Sequence, residues 1–258
     1  MNYLLLFESI LNNWHLILLF FTVAILYSSV GFGGGSSYLA ILAFTGIAFT
    51  QIRATALLCN IVVVSGNLLL LHQQKAFPWK KILPLVLCSI PLAFLGGKLA
   101  INQKLFFILL AITLLLAAIS MWISKRYVST AKEGTPLSWM KSSSYGGLIG
   151  FISGMVGIGG GIFLAPLLHL THWETPKKIA ATASFFILVN SIAGLLGQYQ
   201  QPNFYIDWNL TFILLLSVLV GGQIGIRISN TLFTPIQLKK ATAILIAFVS
   251  IRILYKYL

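Results

Sequence analysis

Acid is the scarcest commodity in this chain. Its 258 residues hold four carboxylates, Glu8, Glu133, Glu174 and Asp207, against 17 Lys and Arg. None of the four falls well inside an apolar stretch: Glu8 and Asp207 lie near segment ends, Glu133 and Glu174 in loops. Pumps coupled to protons or cations place carboxylates inside the membrane, so their absence argues against such a pump. It also leaves no acid–base pair for intramembrane catalysis, and no catalytic residue is assigned. Charge of either sign is sparse, at 8% of residues, where a soluble domain carries about 25%. Only two cysteines occur, Cys59 and Cys88, without a CxxC partner, and of the four histidines only His169 and His172 are close. That excludes a disulfide framework and offers no metal set. No GxxxxGK[ST] motif is present, so the chain carries no ATPase of its own. The first 14 residues contain no Lys or Arg, so the first apolar run reads as a retained span rather than a signal peptide.

What is abundant is apolar side chain: 58% hydrophobic, with a mean hydropathy of +0.94. A soluble fold of this length cannot hide that much. The chain reads as an all-α polytopic membrane protein, since barrel strands would show as alternating segments of about ten residues. On a soluble protein the net charge of +13 would suggest nucleic acid. Here the basic residues stand singly or in pairs at segment ends, which is the positive-inside pattern of cytoplasmic loops.

Apolar stretches occupy 14–30, 36–49, 54–71, 82–100 and 105–124, then 142–156, 162–172, 179–196, 208–228 and 237–255, separated by a polar linker at 125–141. The two sets repeat. VGFGGG at 30–35 matches VGIGGG at 156–161, ATA at 54–56 matches ATA at 181–183, and LGGKLA at 95–100 matches VGGQIG at 220–225. The sequence therefore divides into a first transmembrane repeat at 1–124, a cytoplasmic linker at 125–141 and a second repeat at 142–258. Internal repeats are the usual architecture of secondary transporters.

Whether the repeats are parallel or inverted depends on the short segments flanking each glycine cluster. If each pair of segments makes one net crossing, the basic residues divide 8 to 9 between the two sides; if each is a hairpin, they divide 12 to 5. The positive-inside rule favours the hairpin. Each repeat is then a glycine-broken helical hairpin plus three transmembrane helices, the repeats are inverted, and loops 72–81, 125–141, 171–178 and 227–240 face the cytoplasm.

The glycine clusters, Gly33, Gly34 and Gly35 and their counterparts Gly159, Gly160 and Gly161, are the sharpest local signal. Three glycines in an apolar run break a helix, at about 1 kcal/mol each relative to Ala. Broken backbone at membrane depth persists only where protein buries it or a wet cavity receives it. Helices starting near Ser36 and Ile162 would aim their N-termini into the breaks, which suits an anion. Ser36 and Ser37 would cap the first of these helices or donate to the ligand. Tight helix packing through small residues is the competing reading.

Polar side chains inside the spans complete the candidate binding set. Thr55 and Thr182 align and are expected to do the same job. Asn60, Asn190 and Ser184 offer uncharged hydrogen-bonding groups, with inter-helix bonding as the competing reading. Arg53, at a span start, suits anion binding, but a lone Arg at a helix end is more often an interfacial residue that snorkels. Nothing calls for a bound cofactor. The expected partners are a small anion and the bilayer, with no nucleic acid. Gly146 and Gly150 fit either a homodimer contact or internal packing.

These residues resemble the sulfite exporter TauE/SafE family of bacterial membrane proteins. The closest stretches are GMVGIGGGIFLAPLL at 154–168 and KKIAATASFFILVNSIAGLLGQ at 177–198, with degenerate counterparts at 30–44 and 52–67. The resemblance implies a secondary transporter of the cytoplasmic membrane that moves sulfite, a sulfonate or a related small anion, with about eight spans in two related halves. Two rivals stay open: an anion channel, and a membrane assembly factor without a transported substrate.

Overall fold

A computed structural model describes residues 3–29, 31–124, 138–228 and 235–257. Ten helices form among them: α1 (Tyr3–Ser28), α2 (Gly35–Leu42), α3 (Phe49–Gln73), α4 (Trp79–Lys98), α5 (Gln103–Ser124), α6 (Trp139–Val156), α7 (Gly161–Leu170), α8 (Pro176–Tyr199), α9 (Trp208–Ile228) and α10 (Pro235–Tyr257). Six of the described helices are long and apolar enough to cross a membrane. The apolar stretch expected at 36–49 is shorter as a helix, because the chain turns at Gly46, whose φ is +74°. Most of the expected linker, 125–137, lies outside the described residues. Its last residues, Trp139 to Lys141, already belong to α6, which Ser138 caps by accepting from the Lys141 N–H at 3.4 Å.

Helix directions follow from the contacts. Along α1 and α9 the numbers rise together: Ser217 Oγ donates to Ile17 O at 2.8 Å, Gly221 meets Phe21, and Gly225 meets Ile25. Likewise α3 runs with α9, since Thr55 pairs with Thr211, Val63 with Gly222 and Gly66 with Gln223. In the opposite sense, α4 runs with α6 through Leu85–Gly146, Ser89–Gly150 and Ala93–Gly154. It also runs with α8 through Ser89–Asn190 and Gly97–Gly194. Helices α3 and α8 are antiparallel, as are α5 and α10, where Ser250 meets Ala111 and Tyr257 stacks on Phe107. Since α1 and α3 point the same way, the chain returns between them through α2 and residues 43–48. By the same reasoning α7 returns between α6 and α8.

Exchanging the halves, α1 with α6 through α5 with α10, maps the helix pairings onto one another: α1 on α9 becomes α6 on α4, α2 on α10 becomes α7 on α5, and α3 on α8 and α5 on α10 map onto themselves. Glycine makes the closest of these contacts possible. A Cβ at Gly146, Gly150 or Gly154 would run into the α4 backbone at Leu85, Ser89 and Ala93. Gly146 and Gly150 thus pack internally, and van der Waals contact of this kind is what holds helices together in lipid. The outward faces are apolar, with Leu18, Leu83, Leu116, Leu148 and Leu196 exposed. Trp79, Trp122, Trp139 and Trp208 are exposed near helix ends, where tryptophans anchor a protein at the membrane surface.

The two ends of the bundle are each tied across the halves. At one end Glu174 accepts from Lys81 at 2.8 Å and Lys178 at 3.1 Å, joining the first turn of α4 to the loop before α8 and the first turn of α8. Burial raises the Glu174 pKa, but the two lysine hydrogen bonds and charges outweigh it and hold the carboxyl below its usual value. At the other end Gln201 Nε2 donates to Gly97 O at 2.6 Å and Leu99 O at 2.9 Å.

Candidate functional site

The two glycine breaks meet in the middle of the molecule. Gly34 and Gly160 are the N-caps of α2 and α7, with φ of +87° and +84°. This left-handed backbone costs an L side chain about 1–2 kcal/mol, which explains glycine at both places. The first intrahelical bonds are donated by Ser37 and Tyr38 to Gly34 O, and by Phe163 and Leu164 to Gly160 O. The N–H groups of Gly35, Ser36, Gly161 and Ile162 thus stand outside the helix ladders, as the first turn of any helix requires.

One cavity is lined by both breaks: Gly33, Gly34, Gly35 and Ser36 from one side, Ile158, Gly161, Ile162 and Pro166 from the other, with Asn60 and Ile187 from α3 and α8. Asn60 joins the two. Its Nδ2 donates to Ile158 O at 2.9 Å, which fixes the amide orientation, and its Oδ1 is buried with no hydrogen-bond partner. The breaks fit tightly around this side chain. A Cβ at Gly33 would sit 2.5 Å from Asn60 Oδ1, and one at Gly159 would sit 2.7 Å from Asn60 Nδ2. The cavity therefore has helix N-terminal N–H groups, a second amide proton of Asn60, and one free acceptor in an apolar wall. Such a lining can hold a small anion without a buried countercharge.

The remaining sequence candidates are buried around this cavity without lining it. Ser37 does not cap α2; Gly34 holds that position, and the Ser37 hydroxyl pairs with Tyr27 Oη at 2.8 Å. The aligned threonines bond differently: Thr55 pairs with Thr211 at 3.1 Å between helices, while Thr182 donates to Lys178 O at 2.8 Å within α8. Ser184 donates to Gly31 O. Asn190 Nδ2 donates to Ser89 Oγ at 3.1 Å and Phe186 O at 2.8 Å. Arg53 does not snorkel. It is 1% exposed, and its Nη2 makes one long bond, 3.4 Å, to Gly154 O near the end of α6.

Sequence reasoning missed Ile187, which stands where the second half repeats Asn60. The offset of 127 residues between the two ATA motifs identifies that equivalence. A Cβ at Gly35 would overlap Asn60, and one at Gly161 would lie 2.5 Å from Ile187 Cγ1. The same position is thus polar in one half and apolar in the other.

Comparison with known proteins agrees with the motifs. Residues 16–253 match the sulfite exporter TauE/SafE family. A probable membrane transporter protein of Sinorhizobium fredii is 30% identical over 244 residues, covering 92% of this chain and 96% of that one. Probable membrane transporter proteins of Methanocaldococcus jannaschii and Haemophilus influenzae are 26% and 28% identical, covering 87% and 81% of this chain and 89% and 80% of theirs. No solved structure matches the chain.

Proposed function

Because this chain belongs to the sulfite exporter TauE/SafE family of membrane transporters, we propose that it is a secondary transporter carrying a small oxyanion across the cytoplasmic membrane by alternating access. The anion sits between Gly33–Ser36 and Gly161, against Asn60. The observation that carries this reading is the meeting of two broken-helix N-termini around one cavity. Desolvating an anion costs many kcal/mol, and converging backbone N–H groups offset that cost.

Inverted repeats supply the two exchangeable states. Three features support them: α3 and α8 occupy equivalent places in opposite directions, each glycine-broken pair returns toward its own side, and Glu174 joins Lys81 to Lys178. The last contact, between Lys81 and Glu174, supports a common end for the expected loops 72–81 and 171–178, which favours the hairpin topology over a single crossing. With the positive-inside rule, that end is cytoplasmic. Gly159, Gly160, Thr55, Thr182, Ser184 and Asn190 then frame the site and the hinges around it.

The test is flux into proteoliposomes with a panel of sulfite, thiosulfate, sulfate, sulfoacetate and lactate. Saturable movement of one of them supports the carrier. Single-channel currents would replace it with a pore, and folded protein that neither binds nor moves any of them would refute transport of these anions.

A further inference from the structure

Buried polar side chains recur at heptad spacing on both helices of the central contact: Arg53, Asn60 and Asn67 on α3, and Ser184, Ser191 and Gln198 on α8. The antiparallel packing sets them level. Gly31 adjoins both Leu71 and Ser184 at one level, and Gly159 adjoins both Asn60 and Ser191 at the next. At the third level Gly194 adjoins Leu57 and Gly154, whose carbonyl receives Arg53, and Gln198 follows one turn later on α8. Successive levels are about 10 Å apart, seven residues of helix rise.

The levels differ in one respect. The first is closed by its own bonds: Ser28 Oγ donates to Asn67 Oδ1 at 2.7 Å, Asn67 Nδ2 to Phe32 O at 3.3 Å, and Ser184 to Gly31 O. At the other two levels, Asn60 Oδ1, Ser191 Oγ, Arg53 Nε and both polar atoms of Gln198 are buried without partners. Nor does a described carboxylate face Arg53. Glu174 is held by Lys81 and Lys178, and Asp207 accepts the Asn209 and Leu210 N–H groups. A guanidinium has five donors in a fork suited to oxyanions, and here one is used. Burying such groups unpaired is costly.

We propose that the transported anion moves along the α3–α8 contact, from the cavity at Asn60, past Ser191, to a second station between Arg53 and Gln198. This rests on the transport reading above. Arg53 supplies the charge that the first station lacks, and Gln198 supplies a donor and an acceptor beside it. The closed level at Asn67 and Ser184 bars the opposite direction, so the route runs toward the Arg53 end.

The test uses full-length protein in proteoliposomes with an anion the wild type carries. Gln198→Leu removes two unpartnered polar atoms, so its melting temperature stays level or rises while Vmax/KM falls at least about tenfold. Arg53→Lys keeps the charge but loses the fork, raising KM about tenfold with a smaller change in Vmax. A merely structural role predicts the reverse for Gln198→Leu: lower melting temperature and unchanged flux per folded molecule. Wild-type flux in both variants overturns the second station while leaving transport standing. A wild type that carries no anion overturns the transport reading and this route with it.

Discussion

Replacing Asn60 separates what the side chain does for the fold from what it does for a ligand. Asn60→Leu keeps the branched shape but puts two bulkier methyl groups in place of the amide oxygen and nitrogen. It leaves Ile158 O unpaired, a loss of about 1–3 kcal/mol, and removes the unpartnered Oδ1, a relief of similar size. Those two terms nearly cancel, so a drop in melting temperature reports the overpacking of the larger side chain, about 1–3 kcal/mol. A hydrogen bond to a charged ligand contributes about 1.5–3 kcal/mol, so losing the free amide proton should lower apparent anion affinity about 10- to 150-fold. Asn60→Asp goes further. A carboxylate about 4 Å from a bound anion, at an effective dielectric constant of about 20, repels it by about 4 kcal/mol, close to a thousandfold. Initial rates of anion uptake against concentration give both values, with size-exclusion profiles showing that the variants fold. If Asn60→Asp carries anion with wild-type KM and Vmax, the cavity is not the anion site.

Three further outcomes are expected. Gly34→Ala and Gly160→Ala both force an L residue into left-handed backbone at about 1–2 kcal/mol. Gly160→Ala should melt lower, because its Cβ would meet the Phe186 ring at 2.7 Å, whereas that of Gly34 meets Tyr38 at 3.0 Å. Gly150→Leu should cost more than the 1–3 kcal/mol or so of ordinary overpacking, since its Cβ would meet the Ser89 backbone at 2.6 Å; Gly147→Ala, facing only the end of Leu92, should fold normally by thermal unfolding in detergent. The Lys81–Glu174–Lys178 clip holds the Glu174 pKa below its unfolded value. Its contribution is full above about pH 4.3 and disappears as pH falls through the lower folded value, so melting curves from about pH 7 to about pH 3 should show an acid loss that Glu174→Gln lacks.

The glycine breaks were legible because three consecutive glycines in an apolar run contradict every local reason to continue a helix. Asn60 and Asn190 look alike as amides inside spans, although the 127-residue offset pairs Asn60 with Ile187 rather than with Asn190. Only the antiparallel placement of α3 and α8 brings Asn60 to the breaks and turns Asn190 toward Ser89. Arg53 looks like a helix-end residue because composition shows where a helix starts but not what packs on it; here the end of α6, at Gly154 and Gly157, covers it. The Ser36–Ser37 pair suggests a cap in the sequence, but the αL glycine before it already occupies the capping position. Helix directions were accessible only through charge counting, which pointed to hairpins.

The most direct test of a carrier with an anion site between the breaks is counterflow: vesicles preloaded with unlabelled anion, labelled anion outside, and membrane potential clamped. A carrier of this kind shows saturable, trans-stimulated uptake that overshoots equilibrium and is lost in Asn60→Asp. Uptake that rises linearly with concentration, shows no trans-stimulation and is indifferent to Asn60 would contradict it.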